Sequence, residues 1–135
     1  MVSLPLPQLA SIQSLAWFGD AVFELEVRKA LFCAGDYKAE RLDRAKSKIA
    51  RAETQAELLA RIEDRLQARE RDLVARARNA AIRSRGRVRS SVKIYRSATA
   101  LEALVGAWVA WEAWTRWEEL LAPEILALVE SSLDS

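Results

Sequence analysis

The sequence predicts an all-α fold in which two long apolar helices form the centre and amphipathic helices pack around them. Three observations predict it. No segment alternates apolar and polar residues for long, so strands are not the main element. Residues 14–34 and 94–114 are strongly apolar, contain few β-branched side chains and lack proline. Between them, apolar residues recur at helical spacing with charges on the other faces.

Taken in order, residues 14–34 read as a helix buried over most of its surface and stopped by Gly35, a residue suited to a helix end. In residues 38–50, Leu42, Ala45 and Ile49 share a face, and in residues 53–66, Ala56, Leu59, Ile62 and Leu66 do. Residues 68–82 continue the pattern through Leu73 and Val74, giving three amphipathic helices to lie on the first. The Arg/Ser/Gly segment 83–92 breaks the periodicity, after which residues 94–114 resume as a second buried helix. Pro123 suits the first turn of a final helix over about 123–133. With 135 residues and no internal repeat, the expectation is a single domain over residues 1–135.

Composition restricts the chemistry. Cys33 is the only cysteine and histidine is absent, which excludes an intramolecular disulfide, zinc fingers, histidine triads and Cys/His pairs. Cys33 itself is expected as a small buried apolar residue. No uncharged run is long enough to span a bilayer, and the opening MVSLPLPQLA has no basic segment ahead of an apolar one. A cytoplasmic protein without membrane contact is expected.

The net charge of +2 conceals an asymmetry. Residues 1–75 hold 12 acidic and 12 basic side chains, residues 76–96 hold 8 basic and none acidic, and residues 97–135 hold 7 acidic and 1 basic. The basic residues of the central stretch, RARNAAIRSRGRVRSSVKIYR, are mostly arginine, whose planar fork donates paired hydrogen bonds to phosphate. A solvated loop and a polyanion contact both account for it, and nucleic acid is the leading polyanion.

Two solitary acids stand out. Asp20 lies within the apolar run LAWFGDAVFE, and Glu102 is the only ionisable side chain between Ser97 and Trp111. A buried carboxylate requires a partner, a hydrogen bond or a cation. If the two apolar helices cross, helped by Ala16 and Gly19 on one and Ala98, Ala103 and Gly106 on the other, the acids converge and share a proton or bind a cation. Oxygen-only ligands suit Mg²⁺ or Mn²⁺. The alternative is that each acid bonds a neighbour such as Arg96 or Thr99. Glu24, one turn after Asp20, is placed to join the cluster, although Glu24 and Glu26 also suit ion pairs with Arg28 and Lys29. Trp108, Trp111, Trp114 and Trp117 drift around a helix, so they divide between the core, the space under the last helix and an interface.

Three stretches together resemble a known family. SLAWFGDAVFELEVRKAL at 14–31 is similar to the signature helix of ribonuclease III. RARNA at 76–80 and YRSATALEALVGA at 95–107 resemble two elements of its small subfamily, Mini-ribonuclease III, and the likeness extends over about residues 12–110. The resemblance implies an all-helical, ribonuclease III-like endonuclease domain that dimerises and lacks an appended double-stranded-RNA-binding domain. It implies metal-dependent hydrolysis of double-stranded or structured RNA, with precursor ribosomal RNA as substrate, and it places Asp20 and Glu102 as the catalytic, metal-binding acids.

Two further carboxylates of full-length ribonuclease III are replaced here by Ala16 and Thr99, departures the small subfamily shares. Ala77 stands where the third motif has glycine, and Leu42, Asp43 and Arg44 replace a leucine-histidine-lysine element. On this reading Arg83, Arg85, Arg87, Arg89 and Lys93 reach RNA phosphates and 2′-hydroxyls, while Arg78 and Asn79 position the substrate or brace the site. The competing readings are a catalytically silent RNA-binding module and a helical protein scaffold.

Overall fold

The computed structural model describes residues 10–80 and 89–134, side chains at 89 and 90 excepted. Among them there is no strand, and six α-helices follow one another: α1 (Ile12–Cys33), α2 (Ala39–Ala50), α3 (Ala52–Ile62), α4 (Ala68–Ala80), α5 (Arg89–Ala110) and α6 (Ala122–Asp134). The all-α expectation is met.

Helix α5 is the axis. From Ala103 to Ala107 and at Trp108 its side chains are fully buried, and α1, α3 and α4 all pack against it. A helix that is apolar on every side belongs in such a centre. Helix α1, by contrast, buries one face only: Leu15, Ala16, Gly19, Phe23, Val27 and Leu31. Its opposite face presents Trp17 (81% exposed), Leu25 (60%) and Phe32 (76%) to solvent. The expectation of a helix buried over most of its surface is corrected: the described residues supply no partner for the second face.

The crossing of α1 and α5 is made by glycines. A Cβ on Gly19 would run into the carbonyl oxygen of Glu102, with the carbonyl carbon 2.7 Å and the Gly106 nitrogen 2.8 Å away. A Cβ on Gly106 would meet the Leu15 carbonyl in the same way. Backbone lies directly on backbone here, so the small residues singled out in the sequence set the closest approach in the fold's centre.

The amphipathic helices form as their periodicity predicts, with adjusted ends. The expected helix over 53–66 stops at Ile62 and continues as a 3₁₀ turn, Glu63–Arg65. Helix α2 lies between α1 and α6, burying Ala45 and Ile49, and the Thr54 hydroxyl donates to the Lys48 carbonyl (2.7 Å) where α2 gives way to α3. Helix α5 begins at Arg89, earlier than expected, and ends at Ala110, short of the predicted Trp114. Glu112 takes φ 55°, while Ala113 N–H donates to the Trp108 carbonyl (2.8 Å) and Glu112 N–H to the Val109 carbonyl (3.0 Å). These are the two bonds of a Schellman stop, built here on a glutamate where glycine is usual.

The chain then makes a π turn, Trp117–Leu121, that runs straight into α6. Pro123 therefore lies within a longer helical segment, and the wider turn before it accommodates a residue that has no N–H and a bulky ring. Trp117 is buried, edge-on to Phe23 (6.0 Å) and stacked under Trp114 (5.2 Å), and the Arg69 guanidinium lies over Trp111 (4.2 Å). No helix of the described residues is long and apolar enough to cross a membrane.

Candidate active site

Gly19 brings Asp20 to the crossing from α1, and α5 brings Glu102, whose own carbonyl forms part of that contact. The side chains of the two acids meet in a hydrogen bond, and the Glu102 carboxyl also receives the amide of Gln55 from α3. Burial pushes the Glu102 carboxyl up, the hydrogen bond and charge of Asp20 push the same way, and the Gln55 amide only partly opposes them; the result is a pKa of about 8. Glu102 thus keeps its proton at neutral pH when nothing positive is present.

The distribution of burial corrects one expectation. Asp20 is exposed, Glu102 is half-buried and Gln55 is 4% exposed, so the acid that burial perturbs is Glu102. Asp20 stands at the edge of α1's buried face, beside the solvent-facing stripe that carries Trp17. Gln55 was not found in the sequence: a glutamine in an amphipathic helix carries no signal until the opposite helix supplies its partner.

Glu24 is turned away to Arg28 (3.4 Å) and Lys46 (3.4 Å), and Glu26 pairs with Lys29 (3.9 Å). No group of three or more Asp, Glu, Cys or His side chains placed to hold a metal occurs among the described residues. The oxygen set at the crossing is two carboxylates and one amide.

Of the basic residues singled out, Lys93 is exposed on the first turns of α5, and Arg89 opens that helix. Arg83, Arg85 and Arg87 lie outside the described residues. Arg78 is held in a two-pronged bond to Glu63 (2.8 and 3.0 Å), which raises its pKa further and lowers that of Glu63, while Asn79 is exposed. Of the two roles offered for Arg78, this arrangement is a brace between α4 and the 3₁₀ turn. Cys33 is exposed at the end of α1, against the expectation of burial.

A second buried acid also escaped the sequence reading. Glu70, 1% exposed, accepts from the Gln67 N–H (2.7 Å), Trp108 Nε1 (2.7 Å) and Arg116 Nε and Nη2 (2.9 and 2.8 Å). The Gln67 bond is the glutamate half of a capping box at the start of α4. Arg116 also reaches the Arg65 carbonyl (3.1 Å), so this cluster ties α4, α5 and the π turn together away from the crossing.

The sequence signature of the Ribonuclease III domain matches residues 13–110, from the start of α1 to the end of α5. The chain belongs to the ribonuclease III family. Within that family its relatives are Mini-ribonuclease III proteins. It is 44% identical to "Mini-ribonuclease 3" of Desulfitobacterium hafniense over 96 residues, 70% of this chain and 59% of that protein. It is 38% identical to "Mini-ribonuclease 3" of Thermosynechococcus vestitus over 131 residues, 96% of this chain and 84% of that one. A crystal structure of a Fusobacterium nucleatum protein superposes with a TM-score of 0.74 at 29% identity, covering 87% of this chain and 94% of that one. The matched region spans 59% and 66% of the curated relatives from D. hafniense and Synechococcus. The family region contains Asp20, Gln55 and Glu102.

Proposed function

We propose that this chain is an endoribonuclease that hydrolyses double-stranded RNA with a divalent cation, Mg²⁺ with Mn²⁺ able to replace it, held by Asp20 and Glu102. The observation that carries the reading is the meeting of these two acids at the crossing of α1 and α5. The donor set fits such an ion: every atom offered is oxygen, the two carboxylates repel one another, and no arginine or lysine pairs with either among the described residues. A bound Mg²⁺ would supply activation of water and neutralisation of charge at the phosphate.

The chain's own residues have separable tasks. Asp20 and Glu102 hold the cation, and the buried Gln55 amide fixes the direction of the Glu102 carboxyl. With no histidine in the sequence, proton transfer falls to water and these carboxylates. Lys93, with Arg83, Arg85, Arg87 and Arg89, attracts the phosphates of the duplex, which is read by shape and backbone. Arg78 and Asn79 support the site, Arg78 through Glu63.

The exposed stripe of Trp17, Leu25 and Phe32 supports a homodimer through α1, in which two sites related by a two-fold axis each cut one strand. Precursor ribosomal RNA is the substrate we assign, in the cytoplasm.

The test is a gel assay of a long RNA duplex with Mg²⁺ or EDTA, using wild type and the variants Asp20→Asn and Glu102→Ala. Cutting that needs Mg²⁺ and disappears in both folded variants is the expected result. A duplex that is shifted but never cut identifies a silent binding module, and a duplex neither bound nor cut leaves only the scaffold.

A further inference from the structure

Gln55, Leu58, Leu59 and Ile62 form one buried stripe on α3, at the i, i+3, i+4, i+7 spacing of a helix packed on its neighbour, here α5. The three aliphatic side chains are at most 2% exposed, and Gln55 is 4% exposed. A glutamine is out of place there. Leucine would complete the stripe, whereas an amide shut away from water costs stability unless its polar atoms are used. Its use lies on the facing helix, where the amide meets the Glu102 carboxyl.

The start of α3 holds the amide in that place. The backbone N–H of Gln55 donates to the Arg51 carbonyl (3.0 Å). Beside it, the Thr54 hydroxyl donates back to the Lys48 carbonyl of α2 (2.7 Å) and accepts from Arg51 Nε (3.3 Å). A third helix, anchored at its first turn, therefore brings a neutral polar group to the two acids that α1 and α5 supply.

We propose that Gln55 is the third protein ligand of the cation site at the crossing: its Nε2 holds the Glu102 carboxylate, and its Oε1 is offered to the ion that Asp20 and Glu102 bind. The inference deepens the endoribonuclease reading and rests on it for the purpose of the site. An amide can serve both neighbours at once, because its N–H groups suit a carboxylate oxygen and its carbonyl oxygen is an acceptor only. A hard divalent cation collects about six oxygens, and glutamine carbonyls are among those that proteins supply. Two carboxylates leave most of those places to water. A neutral third ligand fills one of them without adding negative charge to a site that must admit a polyanion.

The experiment measures Mn²⁺ affinity without RNA, by calorimetry and by the electron paramagnetic resonance signal of the free ion, for wild type, Gln55→Leu and Gln55→Glu. Alkaline pH is used so that proton release does not mask the ion. Gln55→Leu completes the apolar stripe and is expected to melt no lower than wild type, yet to bind Mn²⁺ on the order of tenfold more weakly. Gln55→Glu exchanges an amide oxygen for a carboxylate oxygen and is expected to bind at least as tightly as wild type. A folded Gln55→Leu protein with wild-type Mn²⁺ affinity overturns the proposal. So does a Gln55→Glu protein that binds no better than Gln55→Leu, because the amide then serves only as an N–H donor to Glu102. If Gln55→Leu fails to fold, electron–nuclear double resonance of Mn²⁺ bound to wild type labelled with ¹³C at glutamine Cδ decides: a coupling of the size a direct ligand gives supports the proposal, and its absence overturns it. Wild type that binds Mn²⁺ through Gln55 but leaves an RNA duplex intact with Mg²⁺ sinks the endonuclease reading alone. Wild type that cuts while Gln55→Leu keeps its cation affinity sinks the Gln55 proposal alone.

Discussion

Replacing Gly19 with alanine sets two effects of opposite sign against each other. Glycine inside a helix is about 1 kcal/mol less favourable than alanine, so propensity alone makes Gly19→Ala stabilising. The added Cβ, however, points into the carbonyl of Glu102, with that carbon 2.7 Å and the Gly106 nitrogen 2.8 Å away. Both are backbone atoms of α5 and cannot swing aside, so restoring ordinary contact moves the helices apart by roughly 1 Å. That separation loosens the packing of α1 against the buried segment Ala103–Trp108 of α5. Overpacking of this kind costs typically about 1–3 kcal/mol, and more when backbone blocks backbone. With backbone against backbone the cost is put above that range, at about 4 kcal/mol, and the gain of about 1 kcal/mol reduces it to a net loss of about 3 kcal/mol, or roughly 10 °C in Tm. Urea unfolding followed by circular dichroism, with all proteins at one concentration because association adds to apparent stability, reads the difference. Gly106→Ala should behave similarly. Gly35→Ala is the control, because its Cβ meets only the movable ring of Tyr37 at 3.0 Å. A Gly19→Ala protein as stable as wild type would refute the reading of the crossing as backbone on backbone.

Other expectations concern charge and surface. Glu70→Ala removes the acceptor of the buried Trp108 Nε1 and leaves Arg116 only Glu119 and the Arg65 carbonyl, and should cost about 3 kcal/mol in urea unfolding; a loss no larger than an ordinary surface substitution gives would deny the cluster its structural role. Burial pushes the Glu70 carboxyl up, but its bonds to Arg116, Gln67 and Trp108 outweigh that and hold it below its ordinary value of 4.5, so its contribution is complete above that value and lost as pH falls through the lowered one. The urea midpoints of wild type and Glu70→Gln should therefore converge in acid. Glu102 has the opposite sign: with a folded pKa raised to about 8, the folded state keeps a proton that the unfolded state releases. In EDTA, Tm should fall between about pH 4.5 and 8 more steeply for wild type than for Glu102→Gln, and parallel curves would contradict the perturbed carboxyl. Leu25→Glu places a charge in the exposed stripe of α1 and should yield a monomer by light scattering; an unchanged dimer would move the interface elsewhere.

What the sequence made legible depended on the range of the interaction. The spacing of Leu42, Ala45 and Ile49, or of Leu59 and Ile62, is a local property and produced α2 and α3 nearly as expected. The end of α5 was overrun because the stop is a backbone motif around Glu112, and a glutamate at a left-handed position carries no sequence cue. Apolar composition along α1 predicts burial, yet an exposed apolar face has the same composition as one packed among the described residues. For that reason Asp20 proved exposed and Cys33 uncovered. Glu70 and Arg116 lie 46 residues apart, and Gln55 meets a helix far along the chain, so neither contact had a local trace. The proximity of Asp20 and Glu102 was legible because solitary acids in apolar helices, flanked by small residues, have few ways to be satisfied.

The same crossing explains why the two acids cannot relieve their repulsion by moving. Gly19 and Gly106 put the backbones in contact, so the Cα positions of Asp20 and Glu102 are fixed by the least adjustable part of the core. Gln55, buried on a third helix, limits how far the Glu102 carboxyl can rotate away. Relief must then come from outside the side chains, either as a proton on Glu102 or as a cation between the acids. A carboxyl with a pKa of about 8 holds its proton at neutral pH, and a divalent ion that binds between the acids must displace it. On the proposed reading, the glycine contact stabilises the fold and also keeps the two acids close enough to bind the ion.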